Sequence, residues 1–177
     1  MVGRPEPPPG LLRRAEAMAR AAVPALSAAM VMVLAAGPTG VPALVPAVAL
    51  PQVVCWSVLR PGAMSPPAAF GLGLLLDLLT FAPLGSGVLT LLLAHAFAAG
   101  WRRMLARQGF LFAWLIFCGF AAGAAALCWL LTALLSVSLP PAAPALHQAV
   151  LTAGLWPPFA FLLGRVHALM LRAEAAP

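Results

Sequence analysis

Six apolar stretches follow one another between residues 21 and 166, and a single acidic side chain, Asp77, lies within them. Most of these stretches approach the roughly 20 residues that an α-helix needs to cross a bilayer. The alternation of polar and apolar residues that marks strands is absent, and backbone groups in lipid must be hydrogen-bonded within their own segment. The pattern therefore predicts an all-α integral membrane protein of about six transmembrane helices. The expected spans are 21–37, 41–59, 66–81, 84–101, 110–137 and 146–166.

The composition also indicates that lipid, and not water, surrounds most of the protein surface. Only 8% of the 177 residues are charged and 63% are hydrophobic, whereas soluble domains have about 25% charged and about 45–50% apolar residues. A water-exposed surface of this size needs more charge than the chain carries. The formal net charge is +6, but its basic clusters flank apolar runs, as at the cytoplasmic ends of membrane helices. We therefore expect a lipid bilayer as the partner of this surface, and no nucleic acid.

Residues 66–101 raise the question of one helix or two. A single helix of this length would extend about 54 Å, well beyond a hydrocarbon core of about 30 Å. Proline and glycine interrupt the stretch at Ala82-Pro83-Leu84-Gly85. We predict two helices joined by a tight turn there.

The first apolar run follows a basic segment, as in a secretory signal peptide. The preceding segment is unusually long, however, and no A-x-A cleavage pattern closes the run. We expect a retained signal-anchor helix. Residues 1–20 then form a basic cytoplasmic tail, in which residues 11–20 can make a short amphipathic helix on the membrane surface.

The arginines predict the orientation. The chain has no lysine, and with the N-terminus inside, every arginine falls in a segment on the same side of six alternating spans. The turns on the other side, 38–40, 82–83 and 138–145, hold none, which is the positive-inside pattern. We predict that both termini are cytoplasmic, with a membrane domain at 21–172 and a short tail at 173–177. The arginines are Arg4, Arg13, Arg14, Arg20, Arg60, Arg102, Arg103, Arg107, Arg165 and Arg172.

Asp77 is the most unusual residue of the membrane domain. A carboxylate at mid-depth costs on the order of 2.5–3.5 kcal/mol on insertion scales, so it is expected to face protein or water. A structural interpretation gives it hydrogen bonds to the interrupted backbone around Pro83 and Gly85. The alternatives are a proton or ion site of a transporter and a contact with a partner protein.

Glycines form two groups. Gly71 and Gly73 lie on the same pair of predicted helices as Gly85 and Gly87, where small residues allow close backbone approach. The fifth span carries a G-x-x-x-G pair at 119 and 123. For this second pair we expect packing within the monomer rather than contact with a second protein.

Tryptophans cluster toward the predicted span ends. Trp56, Trp101, Trp114 and Trp156 are in positions typical of interfacial anchors, whereas Trp129 is expected to pack inside the bundle.

No set of residues suited to catalysis emerges. The three histidines, His95, His147 and His167, are expected at different depths, and the cysteines lack metal-ligand spacing. Zincin, P-loop and nucleophile-elbow motifs do not occur. The sequence predicts a protein that is not an enzyme and has no catalytic residue, bound metal or cofactor.

A stretch from Leu50 to Leu93 carries a resemblance to a known family. Within it a span ends in an aromatic residue near an Arg-Pro pair, a glycine-bearing helix with one acid follows, and a short Leu-Gly turn comes next. This ordered combination resembles the rod shape-determining protein MreD family. The residues that carry it are Trp56, Arg60, Pro61, Gly71, Gly73, Asp77, Leu84 and Gly85.

The resemblance implies a non-enzymatic subunit of the cell-elongation machinery in the bacterial inner membrane. It implies MreC as a partner, with RodA, a class B penicillin-binding transpeptidase and, indirectly, the actin-like MreB. It also implies a fold similar to the substrate-binding subunit of energy-coupling factor transporters, by analogy of fold. The eight motif residues would then serve structure or partner contact.

Two other functions stay open. A vitamin-type transporter subunit is suggested by six helices, proline breaks and Asp77, although such a site needs several convergent polar groups. A lipid-handling enzyme or flippase would need charged residues lining a head-group cavity, and the spans offer only Asp77.

Overall fold

Six α-helices make up the part of the protein that the structure describes. The computed structural model describes residues 11–37 and 43–175, with side chains at 22–37, 43–105 and 107–172. Within the described residues, all regular secondary structure is helical, as predicted. The helices are α1 (Leu11–Ala35), α2 (Leu44–Leu59), α3 (Pro66–Thr80), α4 (Ser86–Arg107), α5 (Phe110–Ser136) and α6 (Ala143–Ala175).

The helix bounds follow the predicted spans closely, with three exceptions. Helix α4 ends at Arg107, six residues beyond the predicted end of its span at 101. Helix α1 begins at Leu11, so the backbone of residues 11–20 continues the first span instead of forming a separate surface helix. Helix α6 extends beyond the expected 146–166 at both ends. Expectations for residues 1–10 and for the turn at 38–40 lie outside the described residues.

Proline and glycine chemistry fixes several boundaries. Ser65 is extended and precedes Pro66 at the start of α3. Proline has no N–H to donate, but the first N–H groups of a helix have no partner within the helix, so no helix hydrogen bond is lost there. Phe81 ends α3 and Val137 ends α5, each in a left-handed conformation. Gly85, with φ of 99°, precedes α4. Residues 66–101 therefore form two helices joined by a short turn, as predicted.

Helix α2 is the centre of the bundle. It packs along α6 and also contacts α1, α3 and α4, and twelve of its sixteen residues are buried. Trp56, Phe117, Met32 and Met64 are the largest fully buried apolar side chains. α3 packs mainly on α4, and α5 on α6, so that helices joined by short connections lie side by side.

The outside of the bundle is apolar. Large hydrophobic side chains are exposed on every helix except α2, and a contiguous apolar surface of this kind marks contact with lipid or protein. By length and composition α5 and the Ala143–Arg172 part of α6 are candidates to cross a membrane. Ala22–Ala35, α2 and α3 are apolar but shorter. Examples of the exposed side chains are Leu26, Phe70, Leu78, Leu93, Leu115, Leu134, Phe161 and Leu162.

Candidate functional site

The α3–α4 turn is organised around the buried carboxyl group of Asp77. Its Oδ2 accepts a hydrogen bond of 2.7 Å from the Gly85 N–H. Its Oδ1 accepts one of 2.6 Å from the Gly87 N–H and one of 3.2 Å from the Ser86 hydroxyl. The structure thus contains the hydrogen bonds that the structural interpretation predicted.

These donors explain why an acid is stable at this depth. The first N–H groups of a helix have no partner within the helix, and its N-terminus carries a partial positive charge. Gly85 precedes α4 and Gly87 lies in its first turn. Asp77, on the neighbouring helix, satisfies two of these N–H groups in the way that a side chain at the N-cap position satisfies them in other helices.

Two glycines allow α3 and α4 to approach this closely. A Cβ atom on Gly73 would collide with the backbone of Val88, and one on Gly87 would lie 2.6 Å from the Asp77 carboxyl oxygen. Any side chain at either position would push the helices apart. Gly71 differs, because its face of α3 is exposed and a Cβ there would meet nothing within 4 Å.

Two further motif residues lie at the tip of the turn. Gly85 requires glycine because its φ of 99° is strained for residues with a Cβ. Leu84 is 72% exposed. Of the motif residues around Asp77, Leu84 and Gly71 therefore have side-chain positions that face outward.

The other part of the motif lies at the far end of α2. The Arg60 N–H donates to the Trp56 carbonyl at 2.8 Å and closes that helix. The Arg60 Nε donates to Nδ1 of His167 on α6 across a long distance of 3.5 Å. Pro61 opens the connection to α3. Because α3 runs eleven residues, about 16 Å, from Pro66 to Asp77, the motif occupies two separate places.

The tryptophan prediction was wrong for Trp56 and Trp156, and Trp129 is less buried than predicted. Trp56 is completely buried and Trp156 is nearly so, and Trp156 stacks on Phe117 with ring centroids 4.2 Å apart. Their indole nitrogens have no hydrogen-bond partner among the described residues. Trp129, expected inside the bundle, is partly exposed and donates to the Pro140 carbonyl at 3.0 Å.

A buried polar pair that no sequence spacing revealed joins α2 to α4. The Ser57 hydroxyl donates to the Val53 carbonyl at 2.6 Å and lies 2.8 Å from Nδ1 of His95. A hydroxyl has one proton, so with Ser57 donating to Val53, the imidazole Nδ1–H donates to Ser57. The two residues come from different apolar stretches, and only the folded chain brings them together.

The interior cavity of the bundle is small. It has a volume of about 20 Å³, enough for about one water molecule. Thr90 on its wall donates to the Ser86 carbonyl at 2.7 Å, and Thr152 donates to the Gln148 carbonyl at 2.7 Å. Within the described part of the chain, no three His, Cys, Asp or Glu side chains come together to hold a metal ion.

A larger groove of about 510 Å³ lies between α4 and α5 and opens outward. Gly119 and Gly123 line it, and a Cβ on either would meet nothing within 4 Å. The expectation that this glycine pair packs within the monomer was therefore wrong: α5 packs mainly on α6, and the glycine face of α5 stays open.

Comparison with known proteins gives one family. The sequence model described as rod shape-determining protein MreD matches residues 20–166. No curated protein and no solved structure matches the chain.

Proposed function

The chain belongs to the rod shape-determining protein MreD family, and on this premise we propose that it is a non-enzymatic subunit of the bacterial cell-elongation machinery. The family consists of membrane proteins with a role in determining rod shape. The observation that carries the proposal is the family match, which covers most of the chain, from residue 20 to residue 166. All six helices lie wholly or largely inside the matched region.

The proposed location is the bacterial inner membrane, with six transmembrane helices and both termini in the cytoplasm. Residues 1–20 are then a cytoplasmic tail, 21–172 the membrane domain and 173–177 a second tail. The arrangement of the helices supports this topology. The contact between Arg60 and His167 brings the end of α2 beside the later part of α6, so Arg60 lies close to the helix segment that carries Arg165 and Arg172.

Partner binding through membrane helices is the proposed mode of action. The described connections between helices are short, so little of the chain protrudes from the bundle. The apolar exterior offers helix faces to other membrane proteins. We assign MreC as the direct partner, with RodA and a class B penicillin-binding transpeptidase in the same assembly and MreB as an indirect partner.

The proposed fold class is that of the substrate-binding subunits of energy-coupling factor transporters, but the interior argues against a vitamin-binding role. Ligand pockets have volumes of about 300–1,000 Å³. The α4–α5 groove reaches that size, but it opens outward and its walls are mainly apolar, whereas a cavity between α2, α4, α5 and α6 holds about 20 Å³. The Asp77 carboxyl group is already occupied by the N-terminus of α4. Both observations favour an assembly subunit over the transporter alternative.

Copurification tests the proposal. The chain, tagged and expressed in its own bacterium, is extracted in a mild detergent, and MreC is measured in the bound fraction. We expect MreC to be enriched over an unrelated membrane protein of similar abundance. Absence of MreC from a well-folded preparation would contradict the proposed partner.

Leu84 offers a sharper test of the surface involved. It is an exposed motif residue, so we expect Leu84→Gln to reduce MreC capture severalfold while leaving the thermal stability of the chain unchanged. Leu139→Gln is the matched control, because Leu139 is also exposed, in the α5–α6 connection, and lies outside the motif. Equal capture by both variants would remove Leu84 from the interface.

A further inference from the structure

The groove between α4 and α5 combines an apolar interior with a basic end. Leu93 and Phe97 line it from α4 and Phe120 from α5, and the Phe97 and Phe120 rings meet edge to face with their centroids 4.7 Å apart. Gly119 and Gly123 add no side chain to the floor of the groove, and a Cβ on either would meet nothing within 4 Å. Trp101 closes one end of the groove. The groove is open along its side, so an occupant can enter from the surrounding lipid.

Arg102 and Arg103 follow directly after Trp101, and all three arginines of this part of α4, with Arg107, are exposed. At about 100° per residue, Arg102 and Arg107 lie about 100–120° to either side of Trp101 around the helix, and Arg103 lies on the opposite side. Arg102, Arg103 and Arg107 lie in the last turns of α4. Within the described part of the chain, none of the three side chains has a hydrogen bond, ion pair or ring contact. The Arg102 and Arg107 side chains flank the groove face of α4, so their positive charge is available to an anionic group positioned at the Trp101 end.

The length of the groove distinguishes a lipid from a helix. It follows α4 from Thr90 to Trp101, eleven residues or about 16 Å. That is close to half of a hydrocarbon core of about 30 Å, the depth of one leaflet. A partner helix that crosses the membrane would need a seam about twice as long.

From these observations we infer that the α4–α5 groove is a binding site for an anionic phospholipid of the leaflet that faces the arginines. An acyl chain occupies the apolar slot over Gly119 and Gly123. The phosphate lies among the guanidinium groups beyond Trp101, as in other basic pockets between membrane helices. If the proposed orientation holds, this is the cytoplasmic leaflet.

The test uses the purified full-length chain and two lipids with the same acyl chains, dioleoyl phosphatidylglycerol and dioleoyl phosphatidylcholine. Native mass spectrometry counts the lipids that the protein retains. We expect about one retained phosphatidylglycerol and a marked preference over phosphatidylcholine. A preference of about fivefold for each participating arginine follows from the attraction of a basic side chain to an anionic surface. Equal retention of the two lipids, or retention of neither, would overturn the inference.

Two variants test the contribution of the apolar slot and that of the basic end to lipid retention separately. Arg102→Gln with Arg107→Gln is expected to abolish most of the preference for phosphatidylglycerol, and Gly119→Leu to reduce retention of both lipids. The matched controls are Arg165→Gln with Arg172→Gln, and Gly154→Leu at another open glycine position. Controls that behave like the test variants would show that general charge or surface shape, and not this groove, governs retention.

A second measurement does not depend on the folding of Gly119→Leu. Phosphatidylglycerol brominated on its acyl chain is expected to quench the fluorescence of Trp101, and Trp101→Phe to remove that part of the quenching. Unchanged quenching in Trp101→Phe would show that the acyl chain binds away from Trp101. Loss of dimerisation or of MreC capture in Gly119→Leu, with lipid retention intact, would assign the groove to a helix instead. Because the chain is tested alone, failure of the lipid inference leaves the shape-determining role untouched.

Discussion

Asp77 on α3 accepts a hydrogen bond of 2.7 Å from the backbone N–H of Gly85, the residue that precedes α4. One carboxyl group thereby joins the end of one helix to the beginning of the next. This contact explains why an acid is present in the otherwise apolar helix α3. It also holds the short turn between α3 and α4 in place.

Removing this carboxyl group is expected to destabilise the bundle. In Asp77→Ala the N–H groups of Gly85 and Gly87 lose their buried acceptor, and we expect a loss of about 2 kcal/mol in the free energy of unfolding. Unfolding in mixed detergent micelles measures it, with Leu78→Ala at an exposed neighbouring position as the control. Equal stability of Asp77→Ala and the wild type would contradict the capping role.

The glycines of α3 and α4 are expected to differ sharply in their tolerance of a side chain. Gly73→Ala and Gly87→Ala place a Cβ against backbone or carboxyl atoms, and overpacking of this kind costs about 1–3 kcal/mol. Gly71→Ala meets open space and is expected to be neutral or slightly stabilising. Melting temperatures in one detergent compare the three variants. If all three had the same melting temperature, α3 and α4 would not be in close contact at Gly73.

The sequence predicted the helices well and the contacts between helices unevenly. Hydrophobic runs broken by proline and glycine located the six helices, because lipid requires each span to satisfy its own backbone. The bond from Asp77 to Gly85 was also predictable, since a lone acid near a broken backbone has few stable partners.

Burial and contacts that depend on which helices face each other were not predictable from the sequence. Trp56 resembled an interfacial anchor because it lies near a span end, but α2 is central, so this side chain is buried. The glycine pair at 119 and 123 has the same spacing whether its face is covered or open. The contact between Ser57 and His95 joins residues 38 positions apart in the sequence, and no local sequence pattern predicts it.

The contact between Ser57 and His95 is expected to couple α2 to α4 energetically. In a double-mutant cycle with Ser57→Ala and His95→Phe, we expect a coupling free energy of about 1 kcal/mol. A control cycle pairs Ser57→Ala with Thr132→Val, since the Thr132 hydroxyl donates to Cys128 within its own helix. Coupling of the same size in both cycles would mean that the effect does not come from this contact.

The topology gives a further prediction. A cysteine placed at Gln108, in the exposed turn after α4, is expected to be labelled only after the inner membrane is opened. A cysteine at Ser138, in the turn after α5, is expected to react in intact spheroplasts. The three native cysteines are first replaced by alanine or serine. Labelling of the Gln108 position from outside would reverse the orientation and move the arginines to the outer face.

Depletion of the chain in its own rod-shaped bacterium tests the central claim most directly, with cell width and length measured by microscopy. We expect the cells to widen and become round as the protein disappears. Expression of the wild-type chain should restore rods, whereas a Gly73→Leu variant that cannot pack α3 on α4 should not. Cells that keep dividing as rods of unchanged width after complete loss of the protein would contradict a role in shape determination.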